Sequence, residues 1–232
     1  MPTLIQQQIN NKNATGTSLT VTLPALPKVG STLIMTTGMG DQTLSVSTVT
    51  GGGVATWTRL VKNAGSATSG STVEIWEGPN SNGSNAAVII TTTAGIEMGA
   101  NVSEWRGLFY NMPDVSVNTS VGSSVSPVSG TASTLASPTL VFGAAYYKNT
   151  TTPSAGPTNG FTALTNTAVT TLATLVVAYK VVASPGSTST GWTISTSNWG
   201  GVLISFGLVN ITNNNYQSVK VGDGMSVSER IR

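Results

Sequence analysis

The 232-residue sequence contains no histidine and no cysteine, and it carries only ten basic and eight acidic residues. Histidine and cysteine are the side chains that most often serve proton transfer, metal binding and thiol chemistry near neutral pH. This composition argues against an enzyme. We therefore expect a structural or binding protein, and we assign no catalytic residue, no cofactor and no metal ligand.

The few charged residues are scattered, and the formal net charge is +2. The lysines do not cluster into a basic patch, so nucleic acid is not an expected partner. The first residues, MPTLIQQQIN, lack the basic and apolar regions of an export signal, and the longest apolar runs, such as 140–147, are too short to span a bilayer. We therefore expect no membrane partner and no export signal.

Carboxylates are the remaining candidates for chemistry, since a pair of them can hydrolyse a glycosidic bond. Four glutamates come closest to such a pair: Glu74, Glu77, Glu97 and Glu104. Strand alternation places Glu74 and Glu77 on opposite faces, so that pair should not converge. We expect all four to be solvated charges on strand faces or in turns, and no run of oxygen ligands with the spacing of a calcium loop is present.

Apolar and polar residues alternate with a period of two along nearly the whole chain, which predicts β-strands. Turn clusters rich in Gly, Pro, Asn and Ser separate the segments. We predict an all-β protein, an antiparallel β-sandwich of jelly-roll or Greek-key type. The predicted strands are 17–23, 31–36, 44–49, 56–61, 71–76, 87–92, 102–108, 115–121, 139–147, 161–166, 172–182, 190–196 and 202–209.

The organisation predicted from this pattern is one domain with two flanking segments. Residues 1–16 form an N-terminal arm, 17–209 the sandwich, and 210–232 a C-terminal extension. The segments 140–147 and 172–182 are apolar at consecutive positions, so we place them centrally, with both faces covered.

The order of several blocks resembles a β-sandwich module of bacteriophage virion proteins that also occurs in some bacterial secreted proteins. The resemblance covers roughly residues 19–208 and implies a structural or adhesive role without active-site residues. The blocks are VGSTLIMTTG, TWTRLVKN, STVEIWEGPN, NVSEWRGL, PTLVFGAAYY, GFTAL and NWGGVLISF.

In the last residues, SVKVGDGMSVSERIR, apolar and polar residues again alternate as in a strand. Within them, VGDGMSVSE resembles a sequence segment found in tails and linkers of phage proteins. This segment can be an ordinary final hairpin or a frayed end, or it can add a strand to the sheet of another subunit. On the second hypothesis it anchors the protein to a neighbouring subunit or to the shell, with Glu229, Arg230 and Arg232 in ion pairs. The candidate partner-binding residues are Val219, Val221, Met225, Val227, Glu229, Arg230, Ile231 and Arg232.

The five tryptophans are the other candidate binding residues, because an exposed indole can stack on a sugar ring. Trp57, Trp76 and Trp105 fall within alternating strands and are expected in the core. Trp192 and Trp199 lie close to Ser, Thr and Gly turns, so they are the better candidates for exposed glycan-binding side chains.

Together these features favour a bacteriophage virion structural protein, most specifically a capsid decoration (cement) protein that binds and stabilises the assembled shell. Its low charge suits a protein packed into an assembly. The expected partners are the major capsid protein or neighbouring subunits. We also expect a homo-oligomer, and the analogy with jelly-roll decoration proteins suggests a trimer. The alternative is a tail or head-fibre component that acts as a carbohydrate-binding receptor-recognition module.

Overall fold

The computed structural model of the chain describes residues 1–12, 16–65, 70–134, 139–165, 167–169, 173–208, 216–221 and 225–230. The described chain consists of strands and turns. The first eight strands are β1 (Thr3–Lys12), β2 (Ser18–Thr22), β3 (Thr32–Met39), β4 (Val46–Gly51), β5 (Thr58–Asn63), β6 (Thr72–Gly78), β7 (Ala87–Thr92) and β8 (Met98–Arg106).

The remaining ten strands of the described chain lie after residue 107. They are β9 (Leu108–Ser124), β10 (Val128–Thr134), β11 (Thr139–Tyr147), β12 (Thr162–Ala163), β13 (Thr167–Val169), β14 (Ala173–Val182), β15 (Gly186–Gly191), β16 (Ser197–Leu208), β17 (Tyr216–Val221) and β18 (Met225–Arg230). None of the described segments is a helix long and apolar enough to cross a membrane.

Four sheets form the body of the molecule, and their strands pair antiparallel. Sheet A has the order β1-β8-β3-β6-β5, and sheet B has the order β2-β7-β4. Sheet C has the order β12-β14-β11-β16-β9, with β13 also on β14, and sheet D consists of β10 and β15. This arrangement confirms the predicted antiparallel all-β sandwich.

The apolar side chains show how the sheets stack. Sheets A and C enclose one core, which contains Ile34 and Phe142. Sheets A and B enclose a second core, with Met35 and Val21, and sheets C and D a third, with Val141. The layers therefore follow the order B, A, C, D, so the two central sheets are covered on both faces. This explains why strands such as β11 read as continuous apolar runs.

The two halves of the chain share one strand order. In sheet A the order is β1-β8-β3-β6-β5, and in sheet C it is β9-β16-β11-β14 followed by β12 and β13. Sheet B pairs β2 with β7, just as sheet D pairs β10 with β15. This is the order of a jelly roll, and it occurs once in residues 3–106 and once in 108–208. The single sandwich predicted for 17–209 is thus a stack of two.

The two halves meet at Gly107, between β8 and β9. Its φ of +81° favours glycine, and a Cβ here would lie 3.0 Å from the carbonyl oxygen of Met1. The chain therefore passes from sheet A to sheet C in a tight turn.

The segment predicted as an N-terminal arm is an integral strand of the fold. Residues 3–12 form β1, which pairs with β8 along its length and is an edge of sheet A. Gln and Asn side chains made this segment too polar to resemble a core strand. An edge strand can be this polar because it is paired on one side only.

Candidate functional site

The four glutamates are buried, which corrects the expectation that they are solvated. Sheet B covers Glu74, whose Oε1 accepts hydrogen bonds from Ser45 Oγ (2.7 Å) and the Val46 N–H (3.2 Å). Its Oε2 accepts one from Trp76 Nε1 at 2.8 Å, and Arg59 Nη1 lies 3.8 Å from Oε1. This carboxylate therefore ties the start of β4 to sheet A.

Glu77 lies on the opposite face of β6, as the alternation predicted. It is in register with Ile34, a residue of the core between sheets A and C. Among the described residues, its buried Oε1 has no hydrogen-bond partner. Burial raises the pKa of this carboxyl group to about 7.

Glu97 directly precedes β8 and Glu104 lies near its end, about 23 Å away at about 3.3 Å per residue. Burial raises the pKa of Glu97, and the Lys148 ammonium group opposes that rise. The buried Tyr146 hydroxyl has no hydrogen-bond partner in the described structure, and its pKa is raised by burial and by Glu97. Neither pair of glutamates forms a two-carboxylate site, and the described residues contain no cluster of three His, Cys, Asp or Glu suited to a metal ion.

Trp192 and Trp199 are 3% and 5% exposed, so the prediction that they are exposed glycan-binding side chains is wrong. Both belong to the core between sheets C and D, and Trp199 Nε1 donates a 3.1 Å hydrogen bond to Ser124 Oγ. Gly122 makes room for this indole, since a Cβ there would lie 2.5 Å from the ring. The turn residues Thr193, Ser195 and Thr196 between them are exposed, but both indoles point into the core between sheets C and D, which the sequence pattern did not reveal.

Glu104 holds the loop of residues 24–30, between β2 and β3. Its Oε1 accepts a hydrogen bond from the Lys28 N–H, and its Oε2 accepts one from Gln6 Nε2, both at 2.6 Å. Gln6 also binds Ala25 through the Ala25 N–H (3.0 Å) and the Ala25 carbonyl (3.1 Å). Two prolines, Pro24 and Pro27, restrict φ within the loop. The loop is therefore held in one position against β1.

This fixed loop exposes apolar side chains. Leu26 is 56% exposed and Val29 is 75% exposed, while Ile5 of β1, beside the Gln6 contact, is 37% exposed. We call Ile5, Leu26 and Val29 the loop surface. Sequence reasoning missed it, although the run LPALPKVG places apolar residues between prolines, where no strand alternation assigns them to a core.

The C-terminal segment forms a hairpin. β17 pairs with β18 in register from Tyr216↔Arg230 to Val221↔Met225, and it forms a two-stranded sheet apart from the other described strands. This register pairs Gln217 with Glu229.

Four of the five apolar residues that the sequence assigned to partner binding are paired within the hairpin, Val219 with Val227 and Val221 with Met225. Arg230 is paired with Tyr216. Ile231 and Arg232, the other two predicted contact residues, lie outside the described residues.

Comparison with known protein families, with curated proteins and with solved structures finds no match for this chain. The resemblance to the phage sandwich module therefore stays a prediction from the sequence blocks.

Proposed function

We propose that this protein is a structural component of a bacteriophage virion, a capsid decoration (cement) protein that binds the assembled shell and stabilises it. The observation that carries the proposal is the hairpin β17–β18, which forms a two-stranded sheet separate from the other described strands. An isolated two-stranded hairpin is marginally stable in water, so it needs a surface to pack against. In a virion, a neighbouring subunit supplies that surface.

The body of the protein suits such a role. Its central sheets are covered on both faces, and its buried carboxylates Glu74 and Glu104 hold β4 and the loop of residues 24–30 in place. The hydrogen bonds of these two carboxylates stabilise the fold. A rigid four-layer body with a docking element can add stiffness to a shell while its own structure stays unchanged.

The sugar-binding alternative has lost the observation that favoured it. Of the five tryptophans, Trp76, Trp105, Trp192 and Trp199 are buried. Trp57 is half-buried, and its Nε1 donates to the Gly51 carbonyl at 3.2 Å. The tail or head-fibre assignment therefore lacks the two exposed tryptophans, Trp192 and Trp199, from which the sequence predicted glycan binding.

Binding to particles that lack the protein tests the proposal. We expect the full chain to sediment with such particles in saturable amounts, and a map of the decorated particle to place it on the shell. A variant ending at residue 209 should remain folded but bind at least tenfold less. Val125→Asp is the matched control, because Val125 is 46% exposed in the body of the protein, and this variant should bind like the wild type.

Two outcomes would contradict the proposal. A full chain that does not bind particles but binds a host polysaccharide would favour receptor recognition. A truncated chain that reaches wild-type occupancy would assign the contact to the sandwich and remove the role of the hairpin.

A further inference from the structure

The chain contains two Asn–Gly dipeptides, Asn82–Gly83 and Asn159–Gly160. Asparagine is a thermolabile residue, and a following glycine leaves its backbone nitrogen accessible because glycine has no Cβ. Both asparagines are exposed, and both glycines have a φ of +72°. The two sites therefore match in sequence, exposure and glycine conformation, and they differ in how the asparagine side chain is hydrogen-bonded.

At Asn82 the hydrogen bond is made to the side-chain carbonyl. Its Oδ1 accepts the Ser84 backbone N–H at 3.0 Å, which is the local contact of an Asx turn. When the carbonyl carbon is attacked, negative charge develops on this oxygen, and an N–H already directed at it stabilises that charge. Within the described chain the Asn82 amide nitrogen makes no hydrogen bond. The carbonyl is therefore activated, and the amide nitrogen is free to leave.

At Asn159 the hydrogen bonds are made by the amide nitrogen instead. Its Nδ2 donates to the Ser189 carbonyl at 2.9 Å and to Ser189 Oγ at 3.4 Å. The Asn159 backbone carbonyl also accepts a hydrogen bond from Lys180 Nζ at 2.7 Å. These contacts hold the side chain against β15 and retain the nitrogen that would have to leave. Attack on this carbonyl carbon must first break them, so it is slower.

We propose that Asn82 is a site of spontaneous deamidation in the folded protein and that Asn159 is protected from it. The Gly83 nitrogen gives its proton to solvent and bonds to Asn82 Cγ, and the Cγ–Nδ2 bond breaks as the leaving nitrogen takes up a proton and departs as ammonia. The long 3.2 Å hydrogen bond from the Gly83 N–H to Ser81 Oγ is given up in this step. Water then opens the succinimide ring at either carbonyl carbon, which gives aspartate or isoaspartate. One water is consumed, one ammonia is released, and residue 82 gains a negative charge.

The turn that is modified supports the loop of residues 24–30. The Gly30 N–H donates to the Ser81 carbonyl at 2.8 Å, and the Ser81 N–H donates to the Ser31 carbonyl at 2.9 Å. Gly83 is packed so closely that a Cβ there would lie 2.9 Å from the Pro27 carbonyl oxygen. Isoaspartate lengthens the main chain at residue 82 by one methylene group, so the turn has to shift beneath the loop. Deamidation therefore loosens this loop.

Mass spectrometry of peptides from the full chain, aged in mildly alkaline buffer, tests the site. We expect Asn82 to deamidate at least tenfold faster than Asn159, and electron-transfer fragmentation to show isoaspartate as well as aspartate at residue 82. In urea the two sites should react at similar rates, because only the fold distinguishes them. Asn82→Gln is the control, since glutamine would have to close a larger ring. This variant should lose the product at residue 82 and leave the slow reaction of Asn159 unchanged.

Equal rates at the two sites in the folded protein, or reaction of Asn82 only in urea, would overturn the proposal. Aspartate without isoaspartate would show direct hydrolysis of the amide and would overturn attack by the Gly83 nitrogen. Hydrogen exchange then measures the effect on the loop. The Gly30 amide should exchange faster in the aged protein than in aged Asn82→Gln, and equal exchange would contradict the loosening of the loop.

Discussion

Glu104 Oε1 accepts a 2.6 Å hydrogen bond from the backbone N–H of Lys28, a residue 76 positions earlier in the sequence. The donor lies in a loop and the acceptor lies near the end of a central strand, where the side chain is buried. This single contact links the core of the first jelly roll to its most exposed apolar side chains.

Glu104→Gln should loosen that loop. The amide replaces one accepting oxygen with a donor, so either the Lys28 N–H or the Gln6 amide loses its partner at a cost of about 1–3 kcal/mol. For a chain of this size, the melting temperature should fall by about 2–4 °C per kcal/mol. Hydrogen exchange at the Lys28 amide should accelerate. Glu97→Gln, at the other end of β8, should leave that amide protected, and equal exchange in both variants would contradict the anchoring role.

Glu77 should make stability depend on pH. Its pKa is about 7 in the folded protein against 4.5 for the ordinary group, so between these values the folded state keeps a proton that the unfolded chain releases. Stability contributed by this group is therefore full below pH 4.5 and falls as the pH rises to about 7. The total change is roughly 3–4 kcal/mol, since the pKa shift is about 2.5 units and one unit corresponds to about 1.4 kcal/mol.

Urea unfolding of wild type and Glu77→Gln at pH 5 and pH 8 measures this effect. The glutamine imitates the neutral carboxyl group, so the variant should gain stability relative to wild type at pH 8 and differ little at pH 5. A difference between the two proteins that is constant with pH would contradict this assignment.

Gly38→Ala tests the contact between the two jelly rolls. A Cβ at Gly38 in β3 would lie 2.1 Å from Cδ2 of Tyr146 in β11, so the ring or the sheets must shift. Overpacking of this kind costs about 1–3 kcal/mol. At Gly186, no described heavy atom lies within 4 Å of the added Cβ, and Gly186→Ala should cost nothing measurable. Chemical denaturation compares the two, and equal stabilities would contradict the close approach of β3 and β11.

The alternation of apolar and polar residues predicted a strand well where that strand lies between two other strands of its sheet. Segments 87–92 and 139–147 match β7 and β11 residue for residue. It missed β1 and β10, which are polar strands at edges of their sheets. β1 pairs with β8 and β10 pairs with β15, and each partner is distant in the sequence. The residues of β1 and β10 alone therefore do not indicate that these segments form strands.

The candidate site was predicted only in part. The alternation within 217–232 predicted strand structure, and residues of this segment form the paired strands β17 and β18. The burial of Glu74 and Glu104 could not be predicted, because the N–H groups that stabilise these carboxylates come from Val46 and Lys28, far away in the chain. The prediction that Trp192 and Trp199 are exposed was wrong for a similar reason, since the core that buries them is formed by strands distant in the sequence.

The core between sheets A and C draws its residues from both jelly rolls, and this has a consequence for synthesis of the chain. When residue 106 has been made, Ile34, Ile75 and Trp105 are all present, but the residues of sheet C that cover them, up to Phe206, are still to come. At about 5–20 residues per second, this apolar sheet face waits on the order of ten seconds on the ribosome. The nascent first half is therefore the stage at which the protein is most exposed to aggregation and most in need of a chaperone.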